Sequence, residues 1–185
     1  MLDTLRAAWR HFKRLKTETR GVAAIEFALV LPIMIALYFG AHEFGQALTV
    51  ARKVSHAAST LGDLVTQSKS ISNADMTAIF DATAAIVWPY PATNVEITIS
   101  GITVDANGVP RVTWSDARNT TPMPVNQVVA NFPTNLKTPN TFVVASEVHY
   151  PYTPVIGHYL TGEVDLSSLF YLRPRTTEKV CRPTC

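Results

Sequence analysis

The chain has 185 residues, 47% of them hydrophobic and 16% charged, a length that allows one or two domains and a balance that excludes collagen-like and disordered chains. The formal charge of +2 is unevenly placed: before Val22, Arg6, Arg10, Lys13, Arg14, Lys16 and Arg20 stand against Asp3 and Glu18, which leaves +4 there and −2 over the rest. A basic leader can bind nucleic acid, but this one abuts an apolar run, where positive charge instead sets membrane orientation; no nucleic-acid partner is expected.

Val22 to Ala41 is an uninterrupted run of 20 residues with one charge in it, Glu26. At about 1.5 Å per helical residue such a run spans the ~30 Å hydrocarbon core. A cleaved secretory signal has a shorter apolar region, about 7–15 residues, and Leu37-Tyr38-Phe39-Gly40-Ala41 makes a poor cleavage site for one. The expectation is a basic leader (1–21) held in the cytoplasm, a transmembrane helix (22–41), and everything later on the far side of the membrane. Pro32 lacks an amide hydrogen, so loosening or a kink is expected near Ala28. Gly40 and Gly45 add to the expectation of a hinged rod.

Beyond the span, Phe44, Ala47, Ala51, Val54, Ala58, Leu61 and Val65 recur at steps of three and four, with Arg52, Lys53, His56 and Asp63 elsewhere around the wheel. This predicts an amphipathic helix over 42–70 that continues the span. Its alanine-rich stripe suits close packing, either on the chain's own domain or in a seam between subunits. After "SKSISNA" a second helix is expected, capped by Ser72 with Asp75 three residues on, and with Met76, Ile79, Phe80, Thr83, Ile86 and Val87 on one face. Trp88-Pro89-Tyr90-Pro91 ends it.

Strand patterns follow. Val95, Ile97 and Ile99 alternate with polar residues, and at Gly101 the phase passes to Ile102 and Val104, as a bulge allows. Asn107-Gly108 signals a hairpin, with Val112 and Trp114 expected on one face of the next strand. Asn119 to Asn140, punctuated by four prolines, reads as a long surface loop with a short helix near Val125 to Ala130. "TFVVASEVHYPY" predicts a strand with Phe142, Val144, Val148 and Tyr150 on one face and Glu147 and His149 on the other; "SSLFYLRPR" predicts another. Because a one-faced sheet needs a cover, the expected fold is α+β: a long N-terminal helix packed on a small antiparallel sheet, with a second short helix, the globular part occupying 71–185.

Residues with catalytic potential do not assemble into a known pattern. The histidines are His11, His42, His56, His149 and His158, with no pair at helical ligand spacing; His149 and His158 flank a Tyr/Pro-rich turn but lack further evident ligands, so no metal is expected. No G-x-S-x-G turn or glycine-rich phosphate loop is present. Glu96, Glu147, Glu163 and Asp165 read as solvated positions rather than a glycosidase-like couple. No enzymatic activity and no cofactor are expected. Cys181 and Cys185 are too few for an all-cysteine zinc site and, beyond the membrane, would meet oxidising conditions. A disulfide between them is expected, with pairing to another chain the alternative.

Glu26 needs an explanation, because an ionised side chain in the bilayer costs ~3 kcal/mol on insertion scales. It either reaches back to the headgroups or has a partner. In "RGVAAIEF", Gly21 follows the basic leader, Glu26 is the fifth residue beyond it, and Phe27 comes next. This resembles the prepilin processing site in the short G-x-x-x-x-E-[FY] form of the TadE/TadF minor pilin-like proteins of tight-adherence (Flp-type) pili. The resemblance runs through "GVAAIEFALVLPIMIALYFGAHEFGQAL", including Pro32 and Glu43-Phe44-Gly45, and covers roughly the first third of the chain. "VHYPYTPVIG" and "LRPR" are similar to the ends of TadE-like domains. Ile25 stands where family members often have Val.

The resemblance implies cleavage between Gly21 and Val22 by a membrane prepilin peptidase. It also implies that Glu26 pairs with the new amino group of Val22, on its own or a neighbouring subunit, and so sets register during assembly. The implied protein is a minor pilin-like (pseudopilin) component of a Flp/Tad-type pilus apparatus, single-pass in the bacterial inner membrane, N-terminus cytoplasmic and C-terminal domain periplasmic. Its implied partners are the peptidase, other pilin-like subunits and inner-membrane assembly proteins. The residues also allow an uncleaved signal-anchored binding or scaffold domain with no pilus role, or an extracytoplasmic hydrolase, which would need a convergent polar pocket.

Overall fold

The structure, a computed structural model, describes residues 20–154 and 162–182. The chain divides into two compact units between Phe44 and Gly45, and helix α1 (Arg20–Thr66) contributes to both. In the first unit the helix continues through Pro32. One absent amide leaves the rest of the hydrogen-bond ladder on either side intact. The large apolar side chains from Val22 to Phe39, Ile25, Phe27, Leu29, Leu37 and Tyr38 among them, are exposed.

In the second unit the buried stripe of α1 is Val50, Val54, Ala57, Ala58, Leu61 and Val65. The expected stripe was right from Val54 onward but out of phase before it. Phe44 is 66% exposed and Ala51 half-buried, while Val50 is fully enclosed. The helix stops at Thr66, short of residue 70. Helix α2 (Asn73–Ile86) starts as its residues dictate: Asp75 N–H donates to Ser72 Oγ (3.2 Å) and Ser72 N–H donates to Asp75 Oδ2 (3.0 Å). These reciprocal bonds satisfy two of the amides a helix start leaves open. The Ser72 hydroxyl and amide hold the Asp75 carboxyl below its ordinary pKa. Met76, Phe80, Thr83 and Ala84 face inward.

Four antiparallel strands, β1 (Glu96–Val104), β2 (Pro110–Arg118), β3 (Thr141–Tyr152) and β4 (Val164–Leu172), form one sheet in the order β2-β1-β3-β4. The fold is therefore α+β, with a long N-terminal helix, a second short helix and an antiparallel sheet. The β1–β2 connection turns where Asn107-Gly108 predicts. Gly108 N–H donates to the Asp105 carbonyl, Asp105 Oδ1 accepts from the amides of Asn107 and Val109, and Gly108 adopts φ +77°, a conformation open to glycine at little cost.

Both sheet faces carry apolar residues. One face of β1 and β3 (Ile97, Ile99, Phe142, Val144, Val148, Tyr150) joins the two helices in the main core. On the opposite face Ile102, Val104, Val143 and Ala145 pack with Phe132 from the 119–140 loop. This corrects the expected phase change at Gly101. Residue pairing runs Gly101↔Trp114 and then Ile102↔Val112, so the extra residue is Thr113 in β2, while β1 keeps its alternation. Ile102 and Val104 are apolar because the second face has its own cover, and the bulge places Val112 and Trp114 on opposite faces rather than one.

The loop differs from expectation as well. Val125 to Ala130 is not helical; Asn126–Val129 runs along the outer edge of β2. Val112 N–H donates to Gln127 O (3.0 Å), Asn126 N–H to Val112 O (2.8 Å) and Val129 N–H to Pro110 O (3.1 Å). An exposed strand edge has backbone groups to satisfy, and this segment satisfies them. A single 3-10 turn, Thr134–Leu136, occurs farther along. Strand β4 begins at Val164, earlier than "SSLFYLRPR" suggests.

The fold closes on three close contacts. Gly62 of α1 lies where a Cβ would collide with Leu172 and Ser146, and the buried Ser146 hydroxyl donates to Ala58 O (2.8 Å). Gly101 lies directly beneath the Trp114 and Phe142 rings. The Trp114 indole donates to Val180 O (2.9 Å), tying the C-terminal segment beneath β2. That segment also exchanges backbone bonds with the α1–α2 linker (Cys181 N–H to Lys69 O, Ile71 N–H to Cys181 O). Arg182, nearly buried, forks onto both Asp116 oxygens at 2.7 and 2.8 Å and reaches Asn73 Oδ1. Replacing Gly101 by Val should force both rings aside and cost about 2–3 kcal/mol of unfolding free energy, as overpacking does. Urea denaturation of the variant against the parent chain measures this.

Candidate functional site

Two regions carry chemistry. The first is the start of α1, where Gly21, Val22, Glu26 and Phe27 occupy its opening turns. Val22 and Glu26, four residues apart, share one face about 6 Å apart along the axis. Helical side chains tilt toward the N-terminus, so the Glu26 carboxylate leans toward the turn that contains Val22. Glu26 is the single charged residue between Gly21 and Ala41 and is exposed, as are Val22 and Phe27. Gly21 has no neighbour within 4 Å of the place a Cβ would take. Neither packing within the described residues nor a positive φ requires glycine at that position.

Helix α1 is long and apolar enough to cross a membrane, with a mean hydropathy of 2.3 in its most apolar window and none of that window buried. A core helix of a soluble domain would bury such a window; this one exposes it. An unburied apolar helix of this length suits a membrane anchor.

The second region is the loop-covered face of the sheet, and the sequence reading missed its main feature. His149 Nε2 lies 3.0 Å from Glu147 Oε1, and Nδ1 lies 3.2 Å from Asp165 Oδ1. Glu96 is the cross-strand neighbour of His149 on β1. Period-two alternation puts Glu147 beside His149, but only the β3–β4 register brings in Asp165, which is why spacing did not reveal the cluster. Burial alone would lower the His149 pKa; the hydrogen bonds and charges of Glu147 and Asp165 outweigh it and raise the pKa above the ordinary value. An imidazolium donates to both carboxylates, whereas the neutral ring turns a lone pair toward one of them.

Beside this cluster lies a cleft of about 290 Å³. Ile102, Val129, Leu169 and Tyr171 line it, with Glu147 at one side. Ser100, which also borders it, is engaged with Ser115 Oγ at 2.8 Å. Glu147 and Asp165 thus serve His149 rather than confronting each other across a substrate-sized gap. Among the described residues no group of three or more His, Cys, Asp or Glu could hold a metal ion; His158 lies outside them. Cys181 is disulfide-bonded, and Cys185, the other cysteine of the sequence, also lies outside the described residues.

With a folded pKa above ~6.5, His149 contributes stability that is fully present below pH ~6.5 and lost as pH rises through its folded pKa. In His149→Gln this component of the pH dependence of domain stability should vanish, and in the parent the His149 ring signals should titrate above the free-histidine value by NMR. A titration at or below that value would refute the clamp.

Residues 21–61 match the family model described as TadE-like protein. No curated protein and no solved structure matches the chain. The match covers 41 of the 185 residues, all in helix α1.

Proposed function

With residues 21–61 as a TadE-like segment, we propose that the chain is a minor pilin-like subunit of a Flp/Tad-type pilus assembly apparatus. In this reading a prepilin peptidase cuts it between Gly21 and Val22. The observation that carries the reading is the pairing of Gly21 with Glu26. A glycine that no packing among the described residues requires stands five residues before the one charge of the exposed apolar run Val22–Ala41. Close backbone approach by an external partner explains the glycine. The new amine that cleavage creates explains the carboxylate.

The electrostatics favour that pairing. A free amine at Val22 would sit at the positive end of the α1 dipole, an unfavourable place for a cation. Glu26, leaning toward it from one turn away, offsets both the amine and its own cost in hydrocarbon. The same carboxylate can serve the amine of a neighbouring subunit. A desolvated ion pair of this kind adds little net stability but strongly penalises wrong registers.

The basic leader would remain cytoplasmic, with the sheet-bearing unit on the periplasmic side of the inner membrane, where Cys181 and Cys185 would pair under oxidising conditions. The other partners would be neighbouring pilin-like subunits and the inner-membrane assembly proteins. A globular part of 115 residues (71–185) would crowd a thin fibre, which favours a role in initiating or anchoring the pilus over forming its bulk.

Intact mass and N-terminal sequencing of the chain extracted from membranes test the processing step. The mature protein should begin at Val22, and a chain retaining Met1 would establish the uncleaved-anchor alternative instead. Glu26→Gln should leave cleavage nearly unchanged while impairing pilus assembly; normal pilus formation by that variant would remove the register role.

A further inference from the structure

The two edges of the sheet are treated differently. At β2 the edge is bulged at Thr113 and covered by Asn126–Val129. At β4 no backbone group from the other described residues bonds to the outer edge. Strand β4 is nine residues long and pairs with β3 in unbroken register. It contains no lysine, arginine or proline, and its one charge, Asp165, is engaged by His149. Leu169 and Phe170, which point to opposite faces, are 46% and 36% exposed. Natural sheets blunt a free edge with bulges, charges, proline or a cover; β2 has two of these protections, whereas β4 has no bulge and no proline, its one charge is engaged by His149, and no backbone group of the other described residues covers it.

We propose that β4 is a pairing edge for a second copy of this chain. The two strands would run antiparallel about a two-fold axis at Ser168 and join two four-stranded sheets into one. The sequence around β4 is self-complementary in that register. Ser168 faces Ser168, Leu166 faces Phe170, Val164 faces Leu172, and all nine residues of each strand are paired. The charges supply the second argument. Glu163 immediately precedes β4 and Arg173 immediately follows it; both are exposed, and no ion pair engages either within the described residues. In this register each Arg173 faces Glu163 of the partner, so two-fold symmetry matches both ends. A parallel pairing would set like charges side by side. Directly opposed unlike charges favour a strand pair and like charges oppose it, and a two-fold contact repeats each effect.

Site-specific cross-linking of the full-length chain in lipid nanodiscs or detergent tests the register independently of leader cleavage. Across the axis the Ser168 Cα atoms would lie ~5 Å apart, within disulfide reach. Ser168→Cys should therefore give a covalent dimer on mild oxidation. Glu163→Cys and Arg173→Cys should each fail alone and cross-link when the two variants are mixed. In analytical ultracentrifugation Glu163→Arg should weaken dimerisation roughly tenfold, and Glu163→Arg with Arg173→Glu should restore it. Circular dichroism of each variant ensures that a loss reflects pairing and not unfolding. Absence of the Ser168→Cys dimer in folded protein overturns the proposal, as does equal cross-linking by Glu163→Cys alone, a double reversal that does not restore, or capture of a different protein in place of a second copy.

Discussion

The second unit depends on how closely α1 can approach the sheet. Where the helix crosses β3 and β4, Ala58 and Gly62 present almost no side chain, so Leu172 and the Ser146 hydroxyl occupy the space a larger residue would fill. Ser146 is fully buried yet costs little, because its hydroxyl is bonded to the Ala58 carbonyl, and a buried polar group is tolerable when it is paired. With α1 at this depth, Val50, Val54, Leu61 and Val65 meet Ile97, Ile99, Val144 and Val148 in one core. A bulkier residue at Gly62 would lift the helix and open that layer along its length.

The remaining faces are closed by segments distant in sequence. The C-terminal stretch around Val180 and Cys181 lies between Trp114 and the α1–α2 linker, and Arg182 ties Asp116 of β2 to Asn73 at the start of α2. The 119–140 loop covers the other face with Phe132, whose ring meets Tyr171 edge-on at 5.2 Å, and covers the β2 edge with its backbone. Among the described residues, two features stay uncovered: the apolar run Val22–Ala41 of the first unit, with Glu26 in it, and the outer edge of β4 in the second. The His149 cluster, between β3 and the bare strand β4, adds a charge-dependent link at that edge.

Much of this was legible from local pattern. The apolar N-terminal helix, the Ser72–Asp75 cap, the Asn107-Gly108 hairpin and the alternation of β3 each depend on residues within a turn or a strand of one another. The Gly21–Glu26 spacing was legible for the same reason. The α1 stripe was legible only in part, since a pattern extended back through Ala51 to Phe44 accumulates angular error against a period of 3.6 residues.

What the sequence by itself determined, then, was the kind of each main element and the placement of one charge in an apolar helix, because propensity, capping and periodicity act over a few residues. Only the tertiary structure decided which strand carried the bulge, that Ile102 and Val104 belong to a second face, and that Val125–Ala130 covers an edge instead of coiling. It alone joined Asp165 to His149 and left the outer edge of β4 without a backbone partner among the described residues. These outcomes depend on hydrogen-bond partners and cover supplied by residues far away along the chain, and register between strands has no signature inside either strand.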